Sequence, residues 1–433
     1  MARFLYLFLA LSCMPAFADT LSSIYQQALE NDPQLKAAQA GHNAILLNDD
    51  KALALLLPTA TLSANKSRNR QENSISTPAK STFDNSGYNF SISQPVFHYD
   101  AFVLRDQAED SVKRSHTQLA ATQQEIILKV AERYFDSLSA QANLEFAQSE
   151  KKAISKQLEQ ARKRFDVGLI AITDVHEAQS AYDLSVAAEI SAQNQLASAA
   201  EALTEVTGVI HNSLAKLSKQ LPLLKPEPVD MQAWTDTAAK QNLLLQSFKL
   251  ATDIARKEIS LQRAGHLPTL DLVASHDNSD TGTGDSARDT TTNSIALQLN
   301  IPIYQGGLIT AQTKEAAFLY SQARYNQDQQ LRSVLRLTRD AYRGVISGIS
   351  QVQALQQATV SAQSALEATQ AGFDVGTRTI VDVLLTQRSL FQSIRNYNQA
   401  QHQYVINILR LKSAAGTLSP EDLNYFDQWL VKQ

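Results

Sequence analysis

Two short segments of this chain have the same sequence, and an informative position just beyond them differs between the two copies. Residues 165–168, Phe-Asp-Val-Gly, recur at 373–376 with the same four residues. Beyond these segments, Arg378 occupies the position that Ile170 has in the first copy. An arginine at a closely packed helix turn needs an acidic partner, and such charge-assisted bonds are stronger than neutral ones. The chemistry predicted here is an electrostatic link between helices.

Two aspartates, Asp174 and Asp382, occupy equivalent positions just after these segments. Each begins a helix that returns from the turn. One interpretation is charge complementarity with the helix N-terminus, which attracts carboxylates. The other is that one of them pairs with an arginine. Gly168 and Gly376 are expected to end the preceding helices in the left-handed conformation.

Catalytic and metal-binding motifs are not recognisable in the sequence. It contains neither a phosphate-binding glycine loop with its lysine nor a His-Glu-x-x-His pair, and its eight histidines are scattered. Residues 277–285 are acidic and contain glycine, but Ser279, Thr281 and Arg288 stand where calcium ligands would be needed. We therefore expect an exposed hairpin loop, no enzyme activity, no metal and no cofactor.

The elements that position the charged segments are long helices. Residues 96–221 and 303–419 lack proline, and their composition favours helices. Apolar residues recur every seven positions in both copies, beside positions that alternate apolar residues with glutamine, as in coiled-coil seams. The glutamines either specify register or face water. A further single helix is expected over 236–265.

Strands are expected in only two places, each a hairpin with period-two alternation. Such alternation over about ten residues is typical of an outer-membrane barrel strand, and the alternative is an ordinary antiparallel sheet. Four strands are too few to close a barrel, so the chain is expected to associate through them. The expected strands are 59–69, 88–97, 269–276 and 294–303.

The N-terminus reads as a secretory signal over residues 1–18, with Arg3, an apolar stretch and Ala-Phe-Ala before the cleavage point. The only cysteine, Cys13, lies inside it; a lipid-anchored form cleaved before Cys13 is the alternative. The net charge of the whole chain is -4, which argues against nucleic acid as a partner.

The duplication predicts the domain organisation. Two structural repeats would be separated by a proline-rich crossover in an equatorial belt and followed by a short tail in the same belt. The predicted segments are a first repeat at 19–208 with its tip near 165–174, a crossover at 209–235, a second repeat at 236–416 with its tip near 373–382, and a C-terminal equatorial tail at 417–433.

Four segments carry a resemblance to a known family: 167–175, 266–272, 301–307 and 375–384. In order and in both copies, they resemble the TolC-type outer-membrane factor family along the whole mature chain. The resemblance implies a mixed α and β fold and a homotrimer. Its outer-membrane β-barrel, with four strands per chain, would be continued by a long periplasmic coiled-coil α-barrel. It also implies contact with outer-membrane lipid, a periplasmic adaptor and an inner-membrane transporter.

The resemblance further implies a gate at the helix tips. Arg378 would bond Asp174 on a neighbouring coil, with help from the hydroxyl of Thr173, and Asp382 would form a ring of charge at the constriction. Two departures from the family concern Phe373, where a tyrosine is expected, and Leu385, where a second aspartate is expected. Adaptor hairpins would dock on the turn residues Val167, Gly168, Leu169, Val375, Gly376 and Thr377.

Leu385 therefore has two interpretations: packing beside Leu384, or a pore-facing position that lowers cation preference. The leading functional hypothesis is a duct that exports drugs, toxins or proteins. It would open by untwisting of its periplasmic tips when adaptor and transporter dock. A diffusion porin and a structural periplasmic coiled-coil protein are the alternatives.

Overall fold

The computed structural model describes residues 19–72, 80–211, 213–218, 221–282 and 288–431. The expected signal peptide, with Cys13, and residues 283–285 of the expected 277–285 loop lie outside the described residues, whereas residues 277–281 belong to a strand and not to a loop. The elements in chain order are α1 Leu21–Asn31, α2 Pro33–Ala54, β1 Thr59–Glu72, β2 Lys80–Phe97, α3 Tyr99–Asp166, α4 Ile172–Thr207, β3 Lys216–Leu217, α5 Met231–Gln241, α6 Leu243–Ala264, β4 Thr269–Thr281, β5 Arg288–Asn300, α7 Leu308–Asp374, α8 Ile380–Ala415, α9 Pro420–Asp427 and β6 Leu430–Val431.

Four long helices dominate the fold. α3 has 68 residues and α7 has 67, each about 100 Å at 1.5 Å per residue. α4 and α8 have 36 residues each and end at Gly208 and Gly416, both in the left-handed conformation. Within the described ranges, no helix is long and apolar enough to cross a membrane.

The seven-residue stripe of α8 is largely buried, as its spacing predicts. Val383, Tyr404 and Leu411 have at most 1% of their surface exposed. Polar positions in the seams find partners: the amide of buried Gln401 donates to the Tyr397 hydroxyl at 3.1 Å. Satisfied polar groups of this kind are tolerated inside helix interfaces because they keep a hydrogen bond after losing water.

The chain divides into two compact units, and each takes segments from both sequence repeats. The unit formed by 38–119 and 243–332 contains an antiparallel sheet with strand order β1-β2-β4-β5. β5 ends at Asn300 and not at the expected residue 303, because Pro302 has no N–H to continue the ladder. Each of the four strands extends several residues further toward its hairpin loop than the sequence pattern predicts.

The other unit, formed by 1–37, 120–242 and 333–433, corrects one expectation. It contains a second sheet, in which β3 pairs antiparallel with β6, so strands are not confined to the two hairpins. The described N-terminus also joins this region, since Asp19 forms a bridge with Leu214. Short pairings between distant segments leave no alternating pattern in the sequence.

The expected single helix over 236–265 is also wrong. Two helices, α5 and α6, meet at Asn242, whose backbone is extended at φ -60° and ψ 118°. The Asn242 side-chain amide donates to the Ala414 carbonyl at 3.0 Å. Asn242 and Ala414 are 172 positions apart in the sequence, and their contact holds Asn242 at the break between the helices.

Candidate functional site

The candidate site consists of the first tip, residues 165–174, and the second tip, residues 373–382, which belong to the same compact unit. In each, a glycine adopts positive φ, +77° at Gly168 and +78° at Gly376. The N–H of Gly168 donates to the Phe165 carbonyl at 2.8 Å, and that of Gly376 to Phe373 at 3.1 Å. Both turns are thus glycine-terminated helix ends, as their sequences predict.

The second tip is internally hydrogen-bonded. The Thr379 hydroxyl accepts from the Asp382 N–H at 3.2 Å, and the Asp382 carboxylate accepts from the Thr379 N–H at 2.9 Å and hydroxyl at 3.0 Å. This reciprocal arrangement is a capping box. The bonds from the Thr379 backbone and hydroxyl lower the pKa of Asp382 below its usual range.

The first tip lacks this arrangement because Ala171 occupies the N-cap of α4 and has no side chain that accepts a hydrogen bond. Thr173 is exposed and Asp174 is half-buried. Within the part of the chain that the structure describes, neither side chain has a hydrogen bond or an ion pair. The two equivalent aspartates therefore differ: Asp382 is engaged by its own cap, and the carboxylate of Asp174 is available.

Arg378 is exposed on the second tip, and the structure does not pair it with Asp174 inside this single chain. Its stem lies against Gly372: a Cβ added there would come within 2.8 Å of Arg378 Cγ and 3.2 Å of Thr377 Oγ1. Gly372 therefore leaves the space in which the arginine stem folds back over its own helix.

Phe373 is 4% exposed and packs with Ile380 and Val383 in the core of the second tip. The guanidinium carbon of Arg164, from the end of α3, lies 4.1 Å from the centre of its ring. Sequence reasoning missed Arg164. The signal was present, because the offset that pairs Ile170 with Arg378 also pairs Arg164 with Gly372.

Leu384 and Leu385 have different environments. Leu384 packs against the apolar clusters of both tips, including Ala178 in the first and Val383 in the second. Leu385 is 60% exposed. In the single chain, Leu384 therefore makes the apolar packing, and Leu385 projects from the α8 surface. Packing within the chain thus explains a leucine at 384 but not at 385.

The turn residues expected to receive a partner are exposed. Val167, Leu169 and Val375 have 69%, 72% and 76% of their surface accessible. Thr377 is also exposed, and none of the described residues has an atom within 4 Å of a Cβ placed on Gly168 or Gly376. Each tip thus presents apolar side chains beside an open glycine.

The chain is similar to known proteins along most of its length. The sequence profile of the outer membrane efflux protein family matches residues 24–209 and 234–417. The chain is 40% identical over 412 residues to outer membrane protein TolC of Vibrio cholerae serotype O1, covering 94% of this chain and 93% of that protein. It is 29% identical to the alkaline protease secretion protein AprF of Pseudomonas aeruginosa, covering 96% and 88%. The Campylobacter jejuni CmeC outer membrane channel has a similar fold, with a TM-score of 0.80, 18% identity and coverage of 95% and 90%.

Proposed function

Because the chain belongs to the outer membrane efflux protein family, whose members are channels, we propose that it is a passive, gated export duct. The protein is located in the outer membrane and extends into the periplasm. The duct would carry drugs, toxins or proteins from an inner-membrane pump to the exterior. Similar proteins named for efflux and for protease secretion support this proposal.

The proposed assembly is a homotrimer. The four-stranded sheet has unpaired edges at β1 and β5, which present free N–H and C=O groups. Three chains joined edge to edge would close a 12-stranded barrel in the outer membrane, continued by an α-barrel of the long helices. The number three comes from the resemblance. Two separate matches to the family profile support an internal duplication with repeats at 19–208 and 236–416.

The observation that carries the gate is the unequal state of the two tip aspartates. Asp382 is held by its capping box, and Asp174 is not. We infer that Arg378, which has no ion-pair partner among the described residues, bonds Asp174 of a neighbouring coil in the closed assembly. The exposed hydroxyl of Thr173 would add a hydrogen bond. Opening would break this link as the tips untwist.

The remaining tip residues have proposed roles around this link. Asp382 would line the constriction and favour cations, and exposed Leu385 beside it would weaken that preference. Phe373 would pack the second tip without the hydroxyl of the tyrosine expected there. A periplasmic adaptor would dock its hairpins on the exposed turns, bringing the inner-membrane transporter with it. The docking residues would be Val167, Gly168, Leu169, Val375, Gly376 and Thr377.

Single-channel conductance tests the gate. Arg378→Ser is expected to raise the conductance of purified protein in planar bilayers, because it removes an ion pair that would stabilise the closed state. An exposed ion pair contributes about 0.2–1 kcal/mol per chain. Arg162→Ser is the matched control: the Arg162 guanidinium bonds Gln179 within the first coil at 2.7 Å. An equal, open conductance in wild type and Arg378→Ser would refute the gate and favour a diffusion porin.

Export itself is tested in cells. Deleting the gene is expected to sensitise the cell to detergents and dyes, and the intact gene should restore resistance. Copurification of an inner-membrane transporter with its adaptor would identify the pump. Unchanged sensitivity, together with no conductance in bilayers, would instead favour a structural periplasmic protein.

A further inference from the structure

Arg164 makes a set of contacts that joins the two tips within one chain. Besides lying over the Phe373 ring, its guanidinium contacts the Phe373 carbonyl and an Asp374 carboxylate oxygen, each at 3.5 Å. Arg164 is only 32% exposed, and the ring beneath it is buried. A cation over an aromatic face is attracted by the ring, more strongly when water is partly excluded.

The contact continues along the same face of α3. Gln157 is seven residues before Arg164, so the two side chains project from one side of the helix. The Gln157 amide donates to the Gln370 side-chain oxygen at 3.2 Å, and the Gln370 amide donates to Asp374 at 3.3 Å. Asp374 thus receives bonds from its own helix and from α3, and the two helices are connected at two levels.

The duplication explains why this link exists only once. The position equivalent to Arg164 in the second copy is Gly372, where the stem of Arg378 lies. Arg164 and Arg378 are therefore each present in only one of the two copies. Arg378 is exposed and has no ion pair among the described residues, although its charge helps to lower the pKa of nearby Asp382, whereas Arg164 is bonded inside the chain.

We propose that Arg164, Phe373 and Asp374 form a clasp within each chain that holds the second coil against the first and must be broken before the second tip can move. Arg164 is a positioning residue: it acts on the gate through Phe373. The effect of the clasp on channel opening rests on the proposed gate, whereas the contacts that form the clasp do not depend on the gate. The clasp links the two coils through the face of the Phe373 ring, at the position where the family resemblance leads one to expect a tyrosine hydroxyl.

The test combines conductance with a mobility measurement. Arg164→Gln and Phe373→Leu are each expected to raise the ratio of open to closed channels about two- to fivefold per chain, the range for an exposed to partly buried cation–π contact. Phe373→Tyr keeps the aromatic face and should not raise this ratio. The double variant Arg164→Gln/Phe373→Leu should show less effect than the sum of the two single changes, because both remove the contact between Arg164 and the Phe373 ring.

A single spin label at Val375, which is 76% exposed, gives a readout that does not depend on conduction. The only native cysteine is Cys13, so Val375→Cys would carry the only label once the signal is removed. Arg164→Gln should increase the mobility of this label, and Arg162→Gln, on the same helix, should not. Equal mobility and conductance in these two variants, or additive effects in the double variant, would overturn the clasp.

The outcomes separate the clasp from the gate. If Arg164→Gln loosens the label while Arg378→Ser leaves conductance unchanged, the clasp stands and the proposed gate fails. If Arg378→Ser opens the channel while Arg164→Gln matches Arg162→Gln in both readouts, the gate stands and the clasp fails.

Discussion

His402, in α8, is a buried titratable group whose protonation should weaken the fold. Its ring lies 5.5 Å from that of Phe135, centre to centre, and its Nδ1 is 2.6 Å from the Ser139 hydroxyl oxygen. Burial lowers the pKa of His402 from 6.5 to about 4, because the charged imidazolium would lose its hydration. At neutral pH the side chain is therefore neutral.

The direction of the pH dependence follows from this shift. The unfolded chain binds a proton at His402 near its ordinary pKa, and the folded chain binds it only near 4. Between these values the unfolded state holds more protons, so the free energy of unfolding decreases as pH falls. Between pH 7.5 and pH 5 the loss is about 2 kcal/mol per chain, from 1.36 kcal/mol per unit of pKa shift.

His402→Gln should remove this part of the acid sensitivity, because glutamine keeps a polar contact for Ser139 and does not titrate. The matched control is His176→Gln, which changes an exposed histidine in the same unit. Both tryptophans, Trp234 and Trp429, are buried in that unit, so denaturant unfolding can be followed by their fluorescence at each pH. An equal loss of stability on acidification in His402→Gln and wild type would refute the reasoning.

Three further changes test the tips. Leu385→Asp should strengthen block of the channel by divalent cations in planar bilayers, and unchanged block would contradict a pore-facing position. Gly372→Ala should raise conductance, since its Cβ would lie 2.8 Å from the neighbouring arginine stem; Gly41→Ala, with nothing within 4 Å, should not. Thr379→Ala should raise the pKa of Asp382 in a carboxyl NMR titration, because it removes the hydroxyl that donates to that carboxylate. The lowered pKa of Asp382 stabilises the folded chain at pH values above its unfolded pKa, and this stabilisation is lost as pH falls through its folded pKa. Thr379→Ala should make this contribution smaller. An unchanged titration of Asp382 would contradict the role of the cap.

The long helices and the hairpin strands could be predicted because their signals are local. Seven-residue spacing, the absence of proline and alternation of apolar residues act within a few turns or pleats. The glycines of both tips were predictable for the same reason, since a left-handed helix end is a property of one residue. Where prediction failed, as at Asn242, a partner far along the chain decided the outcome.

The candidate site was predictable in position but not in its contacts. Comparing the two copies located Arg378 and Asp382 at the tips. It did not show that Thr379 engages Asp382 while Ala171 leaves Asp174 without a cap, although both residues were visible in the sequence. The capping box depends on the backbone geometry of the turn as well as on residue type.

The sequence by itself determined the kind and order of the main elements and the difference between Ile170 and Arg378 at the tips, because periodicity, helix propensity and turn residues act locally. Only the tertiary structure decided that Arg164 lies over Phe373, 209 residues away, and that β3 pairs with β6. Such contacts form when distant helices pack, and no local pattern encodes which side chains then meet.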